Sequence, residues 1–112
     1  MSAKKSDLLQ GTLDLLILKV AAMGPIHGYA ISKRIRQISN DVLQIQQGSL
    51  YPALHRLEDQ KWLQAEWKAA ESGREAKFYK LTAAGKKQLE KEADSWERLS
   101  GAIALVMRST EA

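Results

Sequence analysis

Hydrophobic positions along the chain change period twice, and these changes divide it into elements. From about Gly11 to Met23, Leu13, Leu16, Ile17 and Val20 follow helical spacing. Leu15 and Leu18 fill the remaining faces, so this first helix should be buried on several sides. Gly and Pro in "MGPIHG" end it. A second helix is predicted from about Gly28 to Ser39, with Ile31, Ile35 and Ile38 as its buried stripe and Lys33, Arg34 and Arg36 off it. "SNDVLQIQQG" reads as an irregular connection.

In "QGSLYPALHRLEDQKWL", Leu50, Leu54 and Leu57 fall at i, i+4 and i+7, which marks a third helix. Pro52 lies inside it, where proline normally removes a hydrogen bond and clashes with the preceding turn. With Ser49 as N-cap, Pro52 would be the third helical residue, where the amide has no intrahelical partner. On a projection of 100° per residue, Pro52, His55, Arg56 and Asp59 face away from the leucines, with Ser49 and Tyr51 at the flanks.

The period then shortens to two. Leu63, Ala65 and Trp67 alternate with Gln64, Glu66 and Lys68, which predicts a half-buried strand. Ser72-Gly73 signals a turn, and "KFYKL" supplies a second strand with Tyr79 and Leu81 on one face. The rim of this hairpin holds Lys68, Arg74, Lys77 and Lys80. Thr82 is the expected N-cap of a long last helix reaching about Arg108. Residues 1–7 read as a short polar arm, and no internal repeat or low-complexity segment interrupts the plan.

Three short helices, a basic two-stranded wing and a trailing helix make a winged helix-turn-helix plan, mainly α with a small β-hairpin. The division expected is a DNA-binding unit over residues 1–81 and a dimerisation helix over 82–112. In such a plan the third helix enters the major groove and the wing approaches flanking backbone or minor groove. Arg can pair with guanine there, and apolar atoms can touch the thymine methyl. The competing reading of that helix face is a plain solvated surface.

Charge sharpens the picture. Residues 1–56 hold seven Lys or Arg against three Asp or Glu, whereas 57–112 hold ten of each, so the net +4 lies in the N-terminal half. A basic half suggests a polyanionic partner. The chain has no cysteine, which removes disulfides, thiolate catalysis and cysteine zinc sites. His27 and His55 have no metal-site spacing. His27 reads as structural at a helix start, and Tyr29 as core or hinge packing. No nucleophile–base pair, phosphate loop or carboxylate pair stands out, so neither an enzyme nor a cofactor is expected. The most apolar run, "LDLLILKVAAMG", is too short to span a bilayer, and no signal peptide is visible. A cytoplasmic protein without a membrane partner is the expectation.

In the last helix, Leu89, Ala93, Trp96, Leu99, Ile103 and Val106 step by three or four. The unit preceding it is too small to cover this stripe, and self-association about a two-fold axis is the commonest way to bury one. Trp96 serves as an anchor of that interface, as a stacking plate for a planar ligand, or as both. Gly101 permits close helix approach or leaves room for a ligand.

"GTLDLLILKVAAMGPIHGYAISKRI", "GSLYPALHRLEDQKWL" and "SGREAKFYKLTAAGKKQLEKEADSW", in this order, resemble the PadR family of bacterial transcriptional regulators over roughly residues 8–108. The likeness is to its short subfamily, with one C-terminal helix. It implies a homodimeric winged-helix repressor whose C-terminal helices form much of the interface, with planar aromatic effectors bound near that interface in some relatives. The wing departs from the pattern in being diluted by Glu71 and Glu75. The candidate DNA contacts are Lys33, Arg34, Ser49, Tyr51, Pro52, His55, Arg56, Arg74 and Lys77, against an inverted-repeat operator in double-stranded DNA. Two other functions remain open: a winged-helix protein–protein adaptor, and a small-molecule binding protein with no specific operator.

Overall fold

The computed structural model describes residues 5–110, the first six of these by backbone alone. The elements are α1 (Lys5–Ala21), β1 (Ile26–His27), α2 (Gly28–Ile38), α3 (Gln47–Asp59), β2 (Leu63–Ala69), β3 (Glu75–Leu81) and α4 (Ala83–Arg108). Residues 1–4 of the expected polar arm lie outside the described residues, and residues 5–7 belong to α1 rather than to an arm.

Packing follows the apolar stripes. Ile17 and Leu18 of α1, Ile31 of α2, Leu50, Leu54 and Leu57 of α3 and Leu63 of β2 are fully buried in one core. Each such side chain contributes roughly 1.5–3 kcal/mol by leaving water. The sheet is three-stranded and antiparallel, in the order β1-β3-β2. β2 and β3 pair from Leu63↔Leu81 to Ala69↔Glu75. β1, where only a chain break was expected, adds Ile26↔Tyr79 and His27↔Phe78. His27 is also the N-cap of α2: the Ala30 amide donates to its Nδ1 at 3.3 Å.

Several expectations need correction. Ile38 was assigned to the buried stripe of α2 but is 57% exposed, because it is the last residue of a helix whose buried positions end at Ile35. Trp67 was assigned to the buried face of its strand but is 63% exposed, since the hairpin extends past the helices beyond Ala65. Tyr29 is exposed rather than core. The N-cap of α3 is Gln46, not Ser49. The Ser49 and Leu50 amides both donate to the Gln46 carbonyl at 3.0 Å. Pro52 is therefore the sixth helical residue and does remove one i→i−4 bond, to Gly48. Gly48 and Pro52 are both exposed, so water can take that carbonyl.

The start of α4 is as expected. The Thr82 hydroxyl accepts from the Gly85 amide at 2.9 Å and donates to the Lys61 carbonyl at 2.7 Å, tying α4 to the end of α3. Leu89 packs on the core, and α1 lies against α4. Beyond this point α4 projects, giving extents of 59 × 28 × 23 Å.

Candidate nucleic-acid interface

α3 is held on both flanks. With its leucines buried, Arg56 faces α1 and Glu58 faces the wing. Arg56 Nη2 donates to Asp14 Oδ1 at 2.6 Å, and Lys77 Nζ donates to Glu58 Oε1 at 3.2 Å. These pairs fix the helix against α1 and against β3. They also correct the surface expected from the projection: Arg56 is half-buried and paired rather than presented on the open face, and Lys77 is paired with a carboxylate of α3.

Burial decides the electrostatics of the first pair. Desolvation raises the Asp14 carboxyl above its ordinary value of 3.8, outweighing the hydrogen bond and charge of Arg56, and the charge of Glu92 on α4 pushes in the same direction. At Lys77, burial pulls the ammonium down, but the bond to Glu58 and the charges of Tyr79 and Glu58 together raise it above 10.5. The Tyr79 phenol is raised by burial.

Between α3 and the wing lies an open cleft of about 490 Å³, lined by His27, Tyr29, Tyr51, His55, Trp67 and Lys77 along with Gly28, Ala76 and Tyr79. Of the expected DNA contacts it gathers Tyr51, His55 and Lys77. Lys33, Arg34, Ser49, Pro52, Arg56 and Arg74 lie outside its lining. Lys33 and Arg34 are exposed on α2, Ser49 and Pro52 on α3, and Arg74 at the wing turn. That turn closes with the Ala70 amide donating to the Arg74 carbonyl at 2.8 Å, and it places Gly73 at φ +89°, a region that disfavours other residues. On the outer face of the wing, Lys68 sits 4.8 Å from the Phe78 ring centroid.

His27, Tyr29 and Trp67 were missed as a group. Trp67 carried a strand signal, and His27 and Tyr29 lie about forty residues from it in the chain. Gln47 was missed for another reason. It lies upstream of the expected N-cap, yet it is an exposed residue of the first turn of α3.

Along α4, Leu89 is half-buried, whereas Ala93, Trp96, Leu99, Ile103 and Val106 are exposed in the single chain, as are Leu105 and Met107. Among the described residues, no group of three or more His, Cys, Asp or Glu could hold a metal ion, and no helix is long and apolar enough to cross a membrane.

The family model for PadR-like transcriptional regulators matches residues 17–91. Uncharacterized protein X of Lysinibacillus sphaericus is 31% identical over 107 residues, which span 96% of this chain and 98% of that protein. Among solved structures, a transcriptional regulator from Clostridium thermocellum superposes with a TM-score of 0.79 at 28% identity, over 88% of this chain and 95% of that one. A PadR-like transcriptional regulator from Bacillus cereus gives a TM-score of 0.79 at 27% identity, over 92% of this chain and 98% of its own.

Proposed function

The chain belongs to the PadR-like family of transcriptional regulators, and from that footing we propose that it acts as a homodimeric repressor at an inverted-repeat operator. α3 enters the major groove with Ser49, Tyr51, Pro52 and His55. Lys33 and Arg34 of α2 and Arg74 of the wing meet phosphate or a narrow minor groove. Arg56 and Lys77, paired with Asp14 and Glu58, set the pose of α3 and the wing. Residues 1–81 form the DNA-binding unit and residues 82–112 the dimerisation helix. A planar aromatic effector stacking near Trp96 releases or tightens DNA by favouring one dimer geometry. The regulator performs no catalysis.

The observation that carries this reading is the open face of α3 beside a wing whose tip carries Arg74, with exposed cations on α2. The experiment is selection of bound sequences from a random duplex pool, followed by titration of the selected duplex over a range of salt. Enrichment of an inverted repeat, with affinity falling steeply with salt, is the expected result. A protein–protein adaptor would enrich nothing, and an operator-free small-molecule binder would bind planar aromatics while ignoring DNA.

A further inference from the structure

The open N-terminal face of α3 is neutral. Gln47, Tyr51 and His55 follow one another at i, i+4 and i+8, so they share one side of the helix, and all three are exposed. Gly48 and Pro52 lie beside them, also exposed. Arg56, the guanidinium of this helix, is held by Asp14 at 2.6 Å, and the nearest wing ammonium, Lys77, is held by Glu58 at 3.2 Å. The usual partner of a guanine edge is therefore committed inside the fold, and the groups left to meet bases are an amide, hydroxyls, an imidazole and an apolar ring.

Base edges discriminate among such groups. A glutamine amide matches adenine, donating to N7 and accepting from the N6 amino group, and apolar atoms match the thymine methyl. Gly48 adds a second observation. Glycine weakens a helix relative to alanine, yet a Cβ at Gly48 would meet nothing within 4 Å of its own chain. The room it leaves is not used by the fold and lies next to Gln47, where a base edge could approach the backbone closely.

We propose that α3 reads A·T pairs, with Gln47 as the specificity-determining residue: its amide pairs bidentately with N6 and N7 of one adenine in each half-site, and the Pro52 ring meets a neighbouring thymine methyl. This rests on the DNA-binding reading above. Arg56 is a positioning residue that seats α3 on α1 and makes no guanine contact.

The test uses the full chain. A duplex selected from a random pool is remade with 7-deazaadenine, which lacks the N7 acceptor, at one adenine at a time. At one adenine per half-site, affinity should fall by about tenfold or more. Gln47→Ala should lose as much on the unmodified duplex and show no further loss on the modified one, and Gln47→Arg should move the selected base toward guanine. Because Gln47 is exposed, circular dichroism should show both variants folded. Sensitivity to 7-deazaadenine that persists undiminished in Gln47→Ala would overturn the assignment. So would half-sites that depend on 7-deazaguanine and lose that dependence in Arg56→Ala. A pool from which no sequence is enriched would overturn the DNA-binding reading itself, a result separable from the failure of Gln47 alone.

Discussion

Two helical glycines that look alike in the sequence have opposite meanings. A Cβ on Gly85 would run into the Trp62 carbonyl and come within 2.7 Å of Leu81 Cδ1, so α4 leaves the sheet only because that side chain is absent. Gly85→Ala should destabilise the protein by about 1–3 kcal/mol, the usual cost of overpacking, read as a lower urea midpoint at unchanged slope. Gly48 has open space instead, and Gly48→Ala should stabilise α3 by up to about 1 kcal/mol while weakening DNA binding. A loss of both would mean that the glycine serves the fold. The Asp14–Arg56 pair invites a mistaken expectation of the same kind. Because burial raises the Asp14 carboxyl in the folded chain, its charge opposes folding above the raised value, and this opposition disappears below about 3.8. Asp14→Asn should therefore be as stable as the parent or more stable at neutral pH, with the difference closing as pH falls below the ordinary carboxyl value. Urea midpoints of both proteins from pH 7 to 3 measure this, and a variant much weaker at pH 7 would show the pair to be net stabilising. None of this could be read from the sequence, because the partner of Arg56 is 42 residues away and no local spacing records it.

Elements were legible where a pattern repeats. The leucines of α3, the isoleucines of α2 and the alternation entering β2 place those elements because burial on one face imposes a period. β1 has only two residues, too few to carry one, and exists because β3 offers an edge to it. The start of α3 was misplaced because Ser49 is a better N-cap by type than Gln46, yet the chain continues helical back to Gln47. Two residues of shift moved Gln47 onto the candidate reading face, so an error in an element boundary became an omission in the site. The wing separates two roles that share one charge. Arg74 is exposed at its tip, whereas Lys77 is pinned to Glu58. Arg74→Ala should weaken binding to every duplex alike and lower the salt slope by about one for a lost phosphate contact. Lys77→Ala should leave that slope nearly unchanged and instead cost up to about 1 kcal/mol of stability, as a partly exposed ion pair does. Titrating both variants against the selected duplex from low to moderate salt distinguishes them, and identical slopes would place both cations on phosphate.

At the scale of the whole molecule, the argument turns on what covers α4. The helix has 26 residues, roughly 39 Å at 1.5 Å per residue, and its stripe is anchored at one end, where Leu89 joins the core. Trp96, Leu99, Ile103 and Val106 continue it with about half or more of each side chain exposed. A water-exposed row of this length is expected to be buried against a second copy, and Gly101, where a Cβ would meet nothing within 4 Å, leaves that copy room to approach. Two chains joined along α4 would hold their α3 helices at a fixed separation. For half-sites on one face of DNA that separation is about 34 Å, or about 10 base pairs and its multiples. Leu99→Glu places a charge at the centre of the stripe, where it would face its symmetry mate without a partner. Leu99 is 56% exposed in the single chain, so the glutamate costs the isolated fold little and acts on association. Sedimentation should show a folded monomer, and affinity for the selected inverted repeat should collapse toward that of one half-site. A planar aromatic entering near Trp96 can shift DNA affinity only by binding two dimer geometries unequally, so the same variant should also abolish any effector response, followed by Trp fluorescence with Trp96→Phe as control against Trp62 and Trp67. A folded, monomeric Leu99→Glu chain that still held the full inverted repeat tightly would remove α4 as the ruler between half-sites, and would remove with it any switch acting through that interface.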